Sequence, residues 1–209
     1  MIKIVIADDH AIVRQGLKKI VEVDNEMEVV LEAQNGAELL NKIGDHDFDL
    51  VVLDISMPGR NGLETLKELK RKTPGIRVIM LSIHPEDQYA VRALRAGASG
   101  YMTKESAPEE LVKAIRKVHQ GERYISSSVA ELLAAHIGIE RSEEQHRSLS
   151  DREYEVFNLL ARGETVGQIA SGLNLSVKTI STYRTRILEK MGMSTNADLT
   201  RYALDFELL

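Results

Sequence analysis

The chain has no cysteine. Disulfides, thiol nucleophiles and Cys-ligated zinc are therefore excluded, and the redox compartment is left open. No stretch approaches the roughly 18 consecutive apolar residues that a membrane span requires, so no membrane partner is expected. The opening, Met1-Ile2-Lys3-Ile4-Val5-Ile6-Ala7-Asp8, lacks the basic region, apolar block and cleavage site of a signal peptide, so a cytoplasmic protein is expected. A strong excess of one charge is also missing: Lys and Arg number 27, Asp and Glu 32, and the net charge is −5. What is present is a 43% hydrophobic fraction over 209 residues, enough for one large or two modest domains.

The first half alternates between strand and helix. The apolar run Leu50-Val51-Val52-Leu53 ends on Asp54, and the turn Pro58-Gly59 follows shortly after. A continuous apolar run bounded by turn signals reads as a strand buried on both faces. Ile2–Ala7, Met27–Ala33, Ile76–Leu81 and Ser99–Met102 read as four more strands. Helices are expected after Ile12, around Leu39 to Ile43, and over Gly62–Lys72, Glu86–Ala96 and Pro108–His119. Strands alternating with helices imply a parallel sheet with right-handed crossovers. The order 2-1-3-4-5, a doubly wound and flavodoxin-like α/β solution, sets strand one beside strand three. Asp8 and Asp9 then neighbour Asp54 at the carboxyl rim, where such sheets bind ligands.

Three carboxylates at one rim repel each other unless a cation sits among them, and Mg²⁺ prefers such oxygen ligands. Ser82 and Lys104 end the fourth and fifth strands on the same rim, offering a hydroxyl and an ammonium to phosphoryl oxygens. The set suits phosphoryl transfer to Asp54. A turn-capping Asp54, a turn Ser82 and a Lys104 paired with Glu105 are the plainer readings of each residue alone.

Residues 1–121 resemble the receiver domain of bacterial two-component response regulators. The resemblance is carried by Asp8-Asp9, Leu53-Asp54-Ile55-Ser56-Met57-Pro58-Gly59, Ser82 and Lys104. It implies that a sensor histidine kinase phosphorylates Asp54, and that Asp9, Asp54 and the main-chain carbonyl of Ser56 hold Mg²⁺ with Asp8 acting through water. It also implies that Ser82 and Tyr101 form a switch pair. The start Ile6-Ala7-Asp8-Asp9-His10 resembles the regulators with a LuxR-type output domain.

Residues 122–147 read as a linker carrying a short helix, capped at Ser128 with Glu131 and running to about Ile137. The polar stretch 138–148 is its exposed part, and trypsin is expected to cut first near Glu140–Arg147. From 148 to 209 the periodicity gives an all-α domain. Ser150-Asp151-Arg152-Glu153 is a capping box, two short helices meet at Gly172-Leu173-Asn174-Leu175, and Ser176 caps the third. Residues 148–209 carry Lys+Arg 7 against Asp+Glu 8, which weakens a nucleic-acid reading, but residues 176–191 alone reach +3. The outward face of the third helix carries Lys178, Ser181, Thr182, Thr185, Arg186 and Glu189. The hydroxyls and methyls of Ser181, Thr182 and Thr185 suit base edges, whereas Lys178, Arg184, Arg186, Lys190 and Tyr183 suit phosphates. Leu199, Tyr202, Ala203 and Phe206 form an apolar stripe on the fourth helix, expected at a dimer interface.

Leu149-Ser150-Asp151-Arg152-Glu153, Ile169-Ala170, Ser176-Val177-Lys178-Thr179-Ile180 and Met191-Gly192 resemble the LuxR-type helix-turn-helix. The resemblance implies double-stranded DNA as partner and adds Thr179 to the contact set. Many members carry Val-Lys-x-His where this chain has Ile180-Ser181-Thr182-Tyr183, so their base preferences do not transfer. The expectation is a transcriptional regulator rather than an enzyme, with slow self-dephosphorylation, homodimeric when phosphorylated. The rivals are a phosphohydrolase of the haloacid dehalogenase type and a receiver-type adaptor acting through protein contacts alone.

Overall fold

The computed structural model describes residues 1–83, 86–106, 108–135, 145–206 and 208–209. The chain divides into two compact units, Met1–Ile137 and Gly138–Leu209. Among the described residues no helix is long and apolar enough to cross a membrane.

The first unit is a five-stranded sheet in the order β2-β1-β3-β4-β5, with every pairing parallel. The strands are β1 (Ile2–Ala7), β2 (Met27–Ala33), β3 (Leu50–Asp54), β4 (Arg77–Ser82) and β5 (Gly100–Thr103). The helices between and after them are α1 (Ala11–Glu22), α2 (Gly36–Lys42), α3 (Gly62–Lys72), α4 (Glu86–Arg95) and α5 (Pro108–His119). All five residues of β3 are buried, which is why that strand reads as unbroken apolar sequence. On one face of the sheet, Ile4, Ile6, Leu50, Val52, Ile79 and Leu81 pack against Val21 of α1 and Leu111, Ala114, Ile115 and Val118 of α5. Alternation along the strands sends Val5, Val51, Leu53 and Met80 to the other face, where they are fully buried.

The register fixes the rim. Ala7 of β1 pairs with Leu53 of β3, so Asp8 and Asp54 follow side by side. Ser82 pairs with Thr103, which puts Lys104 one residue past the same edge. Strands β4 and β5 are shifted one residue toward their carboxyl ends relative to the sequence reading. Both strand types and both positions at the rim survive that shift.

The first unit extends past residue 121, where the sequence reading ended the receiver. A sixth helix, α6 (Ser127–Ala135), packs on α4, and Val129 is fully buried. Tyr124 bridges to Gly100 of β5. The cap of α6 is Ser126, whose hydroxyl accepts from the Val129 amide at 3.2 Å, and not Ser128. The expected continuation to Ile137 and the proteolytic stretch 138–144 lie outside the described residues.

The second unit begins earlier than residue 148. Gln145–Ser148 form a 3₁₀ turn, and His146 is buried there between the exposed Gln145 and Ser148. Its Nδ1 lies 3.0 Å from the Tyr202 hydroxyl, and its ring packs near Tyr154 and Phe206. Helices α7 (Asp151–Ala161), α8 (Val166–Gly172), α9 (Val177–Met191) and α10 (Asn196–Asp205) follow. Each starts on a hydroxyl cap: Ser150, Thr165, Ser176 and Thr195 accept from the amide three residues on. Gly192, at φ +61, closes α9 in the left-handed conformation. Val156, Phe157 and Leu160 of α7 and Ile169 and Ala170 of α8 fill the core, with Ile180, Ile187 and Met191 of α9. Leu199 and Ala203 of α10 are also fully buried there, so the expected dimer stripe is split. Those two residues serve the unit's own core, because α10 packs on α7. Phe206 remains partly exposed and stacks on Tyr202 at 4.3 Å.

Gly62 shows how closely the elements meet under the rim. A Cβ there would stand 2.0 Å from the Asp54 carbonyl oxygen, whereas a Cβ on Gly16 of α1 would meet nothing within 4 Å. Gly62→Ala is therefore expected to lower stability by about 2 kcal/mol or more, through forced backbone movement. Gly16→Ala should raise it by about 0.5–1 kcal/mol. Urea unfolding of the two variants beside the parent checks both signs.

Candidate functional site

Four elements converge on the rim. Asp8 follows β1, Asp54 ends β3, Ser82 ends β4 and Lys104 follows β5. Asp8 and Asp54 are each 1% exposed, and Lys104 Nζ lies 2.7 Å from Asp8 Oδ2 and 2.8 Å from Asp54 Oδ2. Asp9 is less buried, and its Oδ1 stands 2.8 Å from His10 Nδ1. The plain reading of Lys104 as a surface lysine paired with Glu105 is therefore set aside by its position between the two carboxylates. Ser82 is fully buried and Tyr101 is 1% exposed.

The loop after β3 holds its strand end by backbone bonds. Ile55 N donates to the Leu81 carbonyl at 2.9 Å and Gly62 N to the Ile55 carbonyl at 2.8 Å. The Ser56 amide donates to Asp54 Oδ1 at 3.3 Å. Asn61 caps α3 through the Glu64 amide and fixes where the loop ends. Gly59, at φ +76, makes the turn that lets so short a loop reach α3.

Burial pushes the Asp54 carboxyl up to about 6; Lys104 works against that rise and Asp8 adds to it. For Lys104, burial works against the charged form, and the Asp54 and Asp8 carboxylates outweigh it, holding the ammonium above the usual lysine range. At neutral pH Asp54 is therefore mostly ionised, beside a charged Lys104.

Asp8 Oδ2, Asp9 Oδ1 and Asp54 Oδ2 are buried, the first and last beside the Lys104 ammonium and Asp9 Oδ1 beside His10 Nδ1. Asp8, Asp9, His10 and Asp54 each offer an atom within 4.8 Å of the others. Carboxylate oxygens clustered this closely are a donor set for a hard divalent cation.

Two participants were not visible in the sequence. Arg14 reads as an outward residue of α1, yet it is buried. Its Nη1 donates to the Asp8 carbonyl at 2.7 Å and its Nε to Glu32 Oε2 at 3.3 Å. It ties the loop carrying the acids to β2. Its only sequence signal is a position one helical turn past His10, which does not reveal Glu32. His10, next to the acids in sequence, was given no role and lies against Asp9.

In the second unit, α9 buries Ile180, Ile187, Leu188 and Met191 and exposes Lys178, Ser181, Thr182, Thr185, Arg186 and Glu189. Thr179 and Tyr183 are half-buried. Two expected phosphate contacts are engaged inside the unit. Arg184 Nε donates to Asn196 Oδ1 at 2.7 Å, and Lys190 Nζ to Glu153 Oε2 at 2.6 Å. Glu153 is also the return partner of the Ser150 capping box, so Lys190 braces the start of α7.

Residues 4–116 match the family described as "Response regulator receiver domain", and residues 147–203 match "Bacterial regulatory proteins, luxR family". The response regulator UvrY of Escherichia coli K12 is 38% identical over 205 residues, covering 98% of this chain and 94% of its own. A structure of RcsB from Salmonella enterica serovar Typhimurium, bound to promoter P1flhDC in the presence of phosphomimetic BeF3-, is 32% identical. It superposes with a TM-score of 0.66, covering 96% of this chain and 97% of that one. A structure of two RcsB dimers bound to two parallel DNAs is also 32% identical, with a TM-score of 0.61 and 96% of each chain covered.

The raised Asp54 pKa makes a signed prediction about stability. Below the ordinary carboxyl value of 3.8, folded and unfolded chains both hold the proton. Between there and about 6 the folded state keeps a proton that the unfolded state releases, so the stability contributed by the raised pKa is lost as pH rises through this window. Above about 6 the penalty is complete. Asp54→Asn should therefore stabilise the chain by about 1–3 kcal/mol at pH 7.5, and the gain should shrink as pH falls from 6 to 4. Urea unfolding in EDTA across that range checks it; an unchanged gain at pH 4 would contradict it.

Proposed function

The chain belongs to the bacterial response regulators that join a receiver domain to a LuxR-type DNA-binding domain, and on that premise we propose that Asp54 is its phosphoacceptor and α9 its DNA-reading helix. It is a phosphorylation-controlled, DNA-binding regulator of transcription and not a classical enzyme. The observation that carries the Asp54 assignment is the rim itself: a carboxylate 1% exposed, 2.8 Å from the half-buried Lys104 ammonium and adjacent to a second acid.

In this reading the Asp54 carboxylate attacks the phosphorus of a phosphohistidine on a sensor kinase. A bond forms between Asp54 and phosphorus, the P–N bond breaks, and the imidazole leaves with its electron pair. Lys104 neutralises charge on the phosphoryl oxygens, and the Ser82 hydroxyl can donate to one of them. Asp9, Asp54 and the Ser56 carbonyl would hold Mg²⁺, with Asp8 acting through water. The clustered carboxylate oxygens of Asp8, Asp9 and Asp54 fit that ion, and when bound it supplies further charge neutralisation at the phosphoryl group. Tyr101 and Ser82 form the switch pair that reports the new charge to the receiver surface. Slow loss of phosphate to water resets the chain. The receiver is assigned to residues 1–121 with α6 packed on it, and DNA binding to residues 148–209 together with the turn Gln145–Ser148 that packs on them. Action in the cytoplasm as a phosphorylation-dependent homodimer on double-stranded DNA completes the proposal. The DNA-bound and dimeric RcsB structures support its last part.

Acetyl phosphate with Mg²⁺ is expected to add one phosphoryl mass to the parent and none to Asp54→Ala, read by intact-mass spectrometry. Asp9→Ala should block the adduct. Lys104→Ala is expected to accept the phosphoryl group but not to gain DNA affinity. Rapid turnover of a small phosphate ester would favour a phosphohydrolase instead. For the DNA side, Arg186→Ala should weaken cognate and scrambled duplexes alike and flatten the salt slope by about one unit. Lys190→Ala, whose ammonium is held by Glu153, should leave that slope near the parent's and lower stability instead. Binding titrations at several salt concentrations, with urea melts, separate these outcomes.

A further inference from the structure

The outward face of α9 is chemically narrower than its sequence. Thr182, Thr185 and Glu189 follow one another at steps of three and four residues, so they are neighbours on one exposed strip. Thr182 Oγ1 donates to the Lys178 carbonyl at 2.9 Å, and Thr185 Oγ1 to the Ser181 carbonyl at 3.1 Å. A carbonyl oxygen can only accept, so each threonine has spent its one hydroxyl proton inside the helix. The oxygens retain lone pairs, but neither can donate to a base. Tying the oxygen to the preceding turn also fixes the side-chain rotamer, leaving the γ-methyl as the branch turned away from that carbonyl. Glu189, one turn further on, is a carboxylate and accepts only.

Thr182, Thr185 and Glu189 themselves therefore offer two methyl groups and acceptors and no donor; the donors of this face are Lys178, one turn before Thr182, and Ser181 and Arg186 beside the strip. The major-groove edge of guanine presents N7 and O6, both acceptors, which such a strip cannot bond. Thymine presents its C5-methyl, which an apolar contact satisfies. We propose that Thr182 and Thr185 are specificity-determining residues that select thymine by methyl-to-methyl contact and disfavour guanine at the same positions. The proposal rests on α9 being the DNA-reading helix, and it predicts the opposite of hydroxyl readout: removing the hydroxyl is harmless and removing the methyl is not.

The test uses the full chain with beryllofluoride and Mg²⁺. Binding sites are selected from a pool of random duplexes, and each thymine of the selected site is then replaced by deoxyuridine, which deletes only the C5-methyl. Two positions per half-site should weaken binding by about fourfold each, the scale of one buried methyl group. Thr182→Val and Thr185→Val should bind within about twofold of the parent. Thr182→Ser should lose as much as one uracil replacement does, and on the duplex already carrying uracil at that position it should lose nothing more. All of these positions are exposed on the helix, so the variants should fold, which a thermal melt verifies. Two results would overturn the assignment. One is a Val variant as weak as Ala beside a Ser variant equal to the parent; the other is a selected site indifferent to uracil throughout. A parent that enriches no sequence at all would remove the DNA-reading role of α9 itself, a failure distinct from either.

Discussion

The Lys104 ammonium standing between Asp8 and Asp54 is the constraint on which the first unit depends. Two carboxylates that are 1% exposed would not stay ionised together beside Asp9 without a cation. Burying such a set adds little stability in itself, since desolvation opposes the attraction. What the arrangement provides is sensitivity. One cation shared by two acids is a balance that any added charge upsets, and on the proposed assignment a phosphoryl group on Asp54 would bring about two negative charges to the point where Lys104 already sits. The high pKa of Asp54 belongs to the same balance. The acid is kept at the edge of protonation by its own burial, so a partner that relieves its isolation is favoured.

That balance reaches the rest of the sheet through short links. The Lys104 amide donates to the Ser82 carbonyl at 2.7 Å, and Ser82 is the register partner of Thr103. The Ile55 amide, next to Asp54, donates to the Leu81 carbonyl. The ends of β3, β4 and β5 are thus one hydrogen-bonded edge. Tyr101 lies on β5, three residues before Lys104, with its amide on the Tyr124 carbonyl. Since α4 packs on β5 and α6 on α4, the tail beyond residue 121 is part of the layer that a change at the rim would disturb. Its inclusion in the first unit follows from packing, and its polar flanks hid that from a reading based on periodicity.

The legible parts of the sequence are those whose physics is local. Leu50–Leu53 had to be a strand buried on both faces, and the helices expected to close at Gly97, Gly121 and Gly163 do stop there, with these glycines at positive φ. The rim was legible because strand ends, once ordered, bring their next residues together. Arg14 and His146 were illegible for the opposite reason. Each looks like a polar surface residue, and each is made buriable by a partner far away in sequence: Glu32 for Arg14 and Tyr202 for His146. Lys190 and Arg184 were misplaced by the same limit, since charge counted along a helix takes no account of Glu153 or Asn196. Back-bonded threonines belong here too. Their sequence shows a hydroxyl, and only the helix geometry shows that its proton is already used.

The charge distribution of the second unit bears on how its DNA binding could be controlled. Residues 148–209 sum to one more acid than base. On α9 two of the four cations are held by Asn196 and Glu153, which leaves Lys178 and Arg186 facing outward. Phosphate neutralisation supplies most non-specific affinity, and its strength grows with the number of contacts made. A single α9 with two outward cations has few to make, so one unit alone should hold DNA weakly at physiological salt. Two units on adjacent half-sites double those contacts and place the second helix at high effective concentration. Weak single-unit binding makes pairing an effective control: where each unit holds poorly, a receiver that governs association governs occupancy. A strongly basic α9 would bind DNA whether or not its partner had arrived, and the balance at Lys104 would then have little to regulate.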